Sequence, residues 1–119
     1  MPEILIDAKG LQAHQHLNRT LREGLQRGRL TTFVECIKRL GAVDFSQSTI
    51  DAHELAHVNL LVITTRRPVC PFEDEEIRSV HDFVADGGSL LLMTNHSKVP
   101  GRPKMGHFTE QDGRLAAAF

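Results

Sequence analysis

The chain has 119 residues and a formal net charge of −1, from 14 Lys and Arg against 15 Asp and Glu. That length suits one domain with a sizeable core, and the balanced charge selects no nucleic acid and no strongly acidic or basic partner. No apolar run approaches the roughly 20 residues of a membrane span, there is no Trp or Tyr to stack bases, and two cysteines cannot build a disulfide framework.

The N-terminal MPEILID lacks the basic start and long apolar stretch of a signal peptide, so the expected location is cytoplasmic, with reduced thiols. Ile4, Leu5 and Ile6 predict a short strand ending at Asp7, with Ala8, Lys9 and Gly10 as a turn. Over 14–28, Leu17, Leu21 and Leu25 recur every four residues and predict an amphipathic helix closed by Gly28. Leu30, Phe33, Val34, Ile37 and Leu40 follow the i, i+3, i+4, i+7 rule, which predicts a second helix with Thr32 and Glu35 as its capping box and Gly41 as its stop. Val43 and Phe45 alternate with polar neighbours as a short strand, and Asp51 to Ala56 reads as one helical turn.

Val58 to Thr64, VNLLVIT, predicts a buried strand that breaks into Thr65, Arg66, Arg67 and Pro68. Glu73 to Glu76 then crowd a helix N-terminus, where carboxylates meet the positive end of the helix dipole, and Phe72 is placed to staple onto Ile77. On that reading the acidic run is a helix start and nothing more. The helix buries Ile77, Val80, Phe83 and Val84, and Gly87 and Gly88 supply left-handed residues to end it. Leu90 to Met93 leave the following strand without a polar face, as expected of a parallel strand covered on both sides.

Strands alternating with helices predict an α/β fold, a flavodoxin-like three-layer sandwich with a parallel sheet in the order 2-1-3-4. The sandwich is expected over residues 1–98. Residues 99–119 read as a loop followed by the start of a helix in GRLAAAF. Four strands would leave the Leu-rich strand at an edge, a liability that proteins cover or pair, so the expectation is a truncated C-terminal part or an oligomer.

The succession ILIDAKG, NLLVIT and PFEDEEIRSVHDFVADGGSLLLMTNHS resembles the class I glutamine amidotransferase-like superfamily. Within it, the pattern is most similar to the domain of gliding-motility and intraflagellar-transport proteins, over roughly Ile4 to Ser97. The resemblance implies a flavodoxin-like sandwich and ligand or partner binding more than catalysis. Lys9 stands where that family often has His.

Amidotransferase chemistry needs a Cys in a glycine-flanked strand-to-helix elbow. Cys36 lies on an apolar-rich helix and reads as a small core residue. Cys70 follows the third strand with Arg66 and Arg67 near enough in sequence to favour a thiolate, but Pro68 and Pro71 bracket it and no elbow is present. His14, His16 and His96 fall beyond strand ends and are the candidate metal ligands, the plainer reading being solvated side chains.

Open α/β sheets bind ligands beyond the carboxyl ends of their strands, at the point where strand order reverses. Asp7, Lys9, Thr65, Arg66, Asn95 and His96 all fall on that rim. An anion could be drawn by Lys9 and Arg66 with Asp7 orienting Lys9; alternatively Asp7 only caps its turn and Lys9 is solvated. AKGLQAHQ has a single glycine, so no dinucleotide wrap and no cofactor is expected. Two functions follow: a non-catalytic ligand- or protein-binding module, as a homo-oligomer or in a larger assembly, or a hydrolase-type enzyme using Asp7, Arg66, Asn95 and His96, with His96 as general base.

Overall fold

The computed structural model describes residues 1–9, 31–64, 71–93 and 108–119. Four strands, β1 (Glu3–Asp7), β2 (Ala42–Ser46), β3 (Leu60–Ile63) and β4 (Ser89–Leu92), form one all-parallel sheet in the order β2-β1-β3-β4. This is the α/β flavodoxin-like sandwich with the 2-1-3-4 order predicted from the alternation of elements. β1 pairs Glu3 with Ala42 and Asp7 with Ser46 on one side, and Ile4 with Leu60 and Ile6 with Val62 on the other. β3 sets Leu60 against Ser89 and Ile63 against Leu92.

Strand alternation splits the core into two layers. Leu5, Leu61 and Ile63 face Ile50, Leu55, Phe72, Val80 and Leu115. These come mostly from α2 (Ala52–Leu55), α3 (Asp74–Ala85) and α4 (Phe108–Ala116). Ile4, Ile6, Ala8 and Val62 face Val34 and Ile37 of α1 (Thr31–Ile37). The helix expected over 14–28 lies outside the described residues. Among the described residues no helix is long and apolar enough to cross a membrane.

Several local expectations are corrected. α1 begins at Thr31, so Thr32 lies inside the helix and cannot be its cap. The helix ends at Ile37, and a turn closed by Leu40 N–H donating to the Ile37 carbonyl leaves Leu40 66% exposed instead of on the apolar face. Gly41 serves the close approach of the chain start: a Cβ there would lie 2.3 Å from the Pro2 carbonyl oxygen. Ala42 N–H donates to that same carbonyl at 2.9 Å. Cys36 is exposed, because it sits off the Val34–Ile37 stripe that faces the sheet.

α3 forms as its sequence directs. Glu73 is the N-cap, its side chain and that of Glu76 make a reciprocal capping box, and Phe72 and Ile77 share one apolar cluster. At the other end Gly87 N–H donates to Val84 O and Gly88 N–H to Phe83 O, the paired bonds of a Schellman cap. Only Gly87 is left-handed, at φ +105°. Gly88 is needed for space, since a Cβ would meet the Phe83 ring at 2.3 Å.

Among the described residues β4 is an edge strand, and its two faces are covered unequally. Leu90 and Leu92 pack on the layer of α2, α3 and α4, whereas Leu91 is 39% exposed. The helix expected from Gly113 starts at Phe108, and it joins the core: Leu115 is wholly buried. Arg114 fastens it to the start of α3, donating to the Phe72 carbonyl at 2.9 Å and to Asp74 Oδ1 at 3.0 Å.

Candidate functional site

The carboxyl ends of β1 and β3 are neighbours, and the chain leaves them toward opposite sides of the sheet, β2 flanking β1 and β4 flanking β3. That is the reversal point where a crevice opens in this class of sheet. Asp7 ends β1 and is 4% exposed. Its Oδ1 accepts from the Lys9 backbone N–H at 3.2 Å, the side-chain-to-backbone turn that Asp adopts readily. Asp7 therefore fixes the direction in which the chain leaves the strand.

That turn aims Lys9 back over the sheet end instead of into open solvent. Lys9 Nζ donates to Thr49 Oγ1 at 2.6 Å and lies 3.9 Å from Glu73 Oε1. The Lys9 side chain is 21% exposed and that of Glu73 is 61% exposed. The Glu73 contact is long and largely in water, so it steers the ammonium weakly; the Thr49 bond fixes it. An ammonium has three donors, and Thr49 takes one. The expectation that Lys9 is simply solvated is corrected.

Thr49 is itself held in place. It lies in the loop leaving β2, where buried Ser46 donates through Oγ to the Ser48 carbonyl at 3.2 Å. The next residue, Ile50, is fully buried and its backbone N–H donates to Glu76 Oε2 at 2.8 Å. Glu76 is 0% exposed, and its Oε1 accepts from the Glu73 backbone N–H at 3.4 Å. The acidic run is thus more than a helix start: one of its members is a buried strut between α3 and the β2 exit loop.

Thr64, one residue past β3, adds a buried hydroxyl with no hydrogen-bond partner. Alternation along β3 puts it on the α1 side of the sheet, opposite the Asp7 side. Thr65, Arg66, Cys70, Asn95, His96, His14 and His16 lie outside the described residues. The structure therefore brings together Asp7 and Lys9 of the predicted rim and joins to them Thr49, Glu73 and Glu76. Among the described residues no group of three or more His, Cys, Asp or Glu is placed to hold a metal ion. His53, His57 and His81 are exposed.

Thr49 and Thr64 carried no sequence signal beyond being polar residues near strand ends. Glu76 did carry one: it stands three residues after the N-cap, the capping-box position. No family model, curated protein or solved structure matches the chain.

Proposed function

We propose that this chain is a non-catalytic binding module of amidotransferase-like fold that takes a small polar or anionic ligand at the carboxyl rim of its sheet. The observation that carries the reading is the Lys9 ammonium, fixed by Thr49 at 2.6 Å at the strand-order reversal while still 21% exposed. A cation held in one place beforehand loses little freedom when an anion arrives, and it keeps donors to offer. Asp7 supports this reading as the residue that fixes the turn carrying Lys9 at the end of β1.

The test is a thermal-shift panel of small carboxylates and phosphates against the wild-type chain and Lys9→Met. A binder present at about 100 times its Kd adds roughly 2.7 kcal/mol to the folded state, enough to raise the melting temperature measurably. The gain should vanish in Lys9→Met.

The same reading takes the module to be one part of an assembly. Leu91 stands 39% exposed on an apolar edge strand, the kind of edge that proteins cover by pairing. A second copy of the chain is the proposed cover.

A further inference from the structure

The Lys9 ammonium has a carboxylate beside it at the end of β1. Glu73 Oε1 lies 3.9 Å from Nζ, close enough to compete with any anion that the ammonium receives. Glu73 is held there by its own helix. It is the N-cap of α3, its side chain accepts from the Glu76 backbone N–H, and its backbone N–H donates back to Glu76 Oε1 at 3.4 Å. A free surface glutamate swings away from an arriving anion, whereas one engaged in a capping box gives up its cap by doing so.

The charges around Lys9 are unequal. Asp7 is buried in the same turn, with Oδ1 on the Lys9 backbone N–H, and Glu76 is buried next to Glu73. Arg114, the other described cation near this helix start, donates to the Phe72 carbonyl and to Asp74. Among the described residues, the Lys9 ammonium therefore faces the carboxylates of Asp7, Glu73 and Glu76 with no second cation to offset them.

A singly charged ligand can take the place of Glu73 as the partner of Lys9 at small cost. A doubly charged one is repelled twice as strongly by each carboxylate, and the cost of stripping its water rises with the square of its charge. The Lys9 side chain is only 21% exposed, so its ligand sheds part of its water on arrival. Resting on the reading of this rim as an anion site, we propose that Glu73 is its specificity-determining residue: the rim accepts a small monoanion of the carboxylate type and rejects a dianion of the phosphate type.

The probes are methanesulfonate and sulfate, tetrahedral ions of similar size that differ by one charge at any working pH, with acetate as the carboxylate. Each is titrated at constant ionic strength into the wild-type chain, Glu73→Gln and Lys9→Met, following the backbone amides of Asp7, Lys9 and Thr49. In the wild-type chain acetate and methanesulfonate should bind at least about threefold more tightly than sulfate. One charge removed at about 4 Å in water changes affinity roughly fivefold per ligand charge, and less in salt. Glu73→Gln should therefore strengthen the monoanions about threefold and sulfate about tenfold. A merely structural role would shift all three ions by the same factor. Gln keeps the side-chain oxygen that accepts from the Glu76 N–H; if Glu73→Gln does not fold, Glu73→Asn, neutral and a preferred N-cap, gives the same comparison. Sulfate binding the wild-type chain as tightly as methanesulfonate, or equal factors for the ions in the neutral variant, would overturn the proposal and leave the rim reading standing. No binding of any of the three, or binding that Lys9→Met does not weaken, would remove the rim reading and this proposal with it.

Discussion

Ile50 donates its backbone N–H to Glu76 Oε2 at 2.8 Å across 26 residues of chain, and both residues are 0% exposed. The bond ties the first turn of α3 to the loop that carries Thr49, so the position of the Lys9 ammonium depends on a buried carboxylate two contacts away. Glu76→Ala leaves the Ile50 N–H without its acceptor and removes half of the capping box. The expected loss is about 2–4 kcal/mol in urea unfolding, combining a charged hydrogen bond with an orphaned buried donor. A loss below roughly 1 kcal/mol would show that water replaces the carboxylate freely.

Gly88 and Phe83 form a matched pair at the other end of α3. Gly88→Ala drives a methyl into the Phe83 ring, which must move, at an expected cost of about 1–3 kcal/mol. In a Phe83→Leu background the same substitution should cost markedly less. A double-mutant cycle by denaturant unfolding measures this coupling, and strict additivity would show that the ring contact is not the reason for glycine. Gly87→Ala should destabilise by a different route, the left-handed backbone at φ +105°, with no help from Phe83→Leu.

Leu115 makes the last helix part of the core. Leu115→Ala empties a fully buried site shared with Leu61, Ile63 and Phe72, and should cost about 2–5 kcal/mol. Arg114→Ala should cost less than Leu115→Ala, because the Asp74 carboxylate it meets is 90% exposed. Urea midpoints in that order support the docking of α4; the reverse order would contradict it.

Leu91 tests the edge. If a second copy covers β4, sedimentation velocity should show concentration-dependent self-association of the wild-type chain, and Leu91→Lys should abolish it, since an edge lysine blocks strand pairing. Leu91→Lys should leave thermal stability nearly unchanged, because Leu90 and Leu92 make the core contacts. A wild-type chain that stays monomeric across the concentration range would count against a second copy as the cover.

Elements with strong periodicity were legible in the sequence. The parallel sheet in 2-1-3-4 order and the staple positions Phe72 and Ile77 follow from the alternation of elements, apolar spacing and end residues, whereas the capping box fell at Glu73 and Glu76 instead of the expected Thr32 and Glu35. What sequence could not give was geometry set from afar. Cys36 reads as core by type but sits one position off the Val34–Ile37 stripe, where it is exposed. Leu90 to Met93 read as covered on both sides because composition cannot tell a central strand from an apolar edge. Asp7 was legible as a strand-ending acid, whereas its coupling to Thr49 and Glu76 depends on pairings 40 and 26 residues apart.

The central claim is that Lys9, held by Thr49 at the strand-order reversal, receives a small polar or anionic ligand. The most direct measurement takes the strongest stabiliser from the carboxylate and phosphate panel and titrates it into labelled wild-type chain, Lys9→Met and Thr49→Val, following backbone amides. The account predicts saturable shifts centred on Asp7, Lys9 and Thr49, about tenfold or more weaker binding in Lys9→Met, and a smaller weakening in Thr49→Val, where the ammonium remains but is no longer fixed. Binding that is equal in all three proteins, or shifts centred away from the ends of β1 and β2, would contradict it.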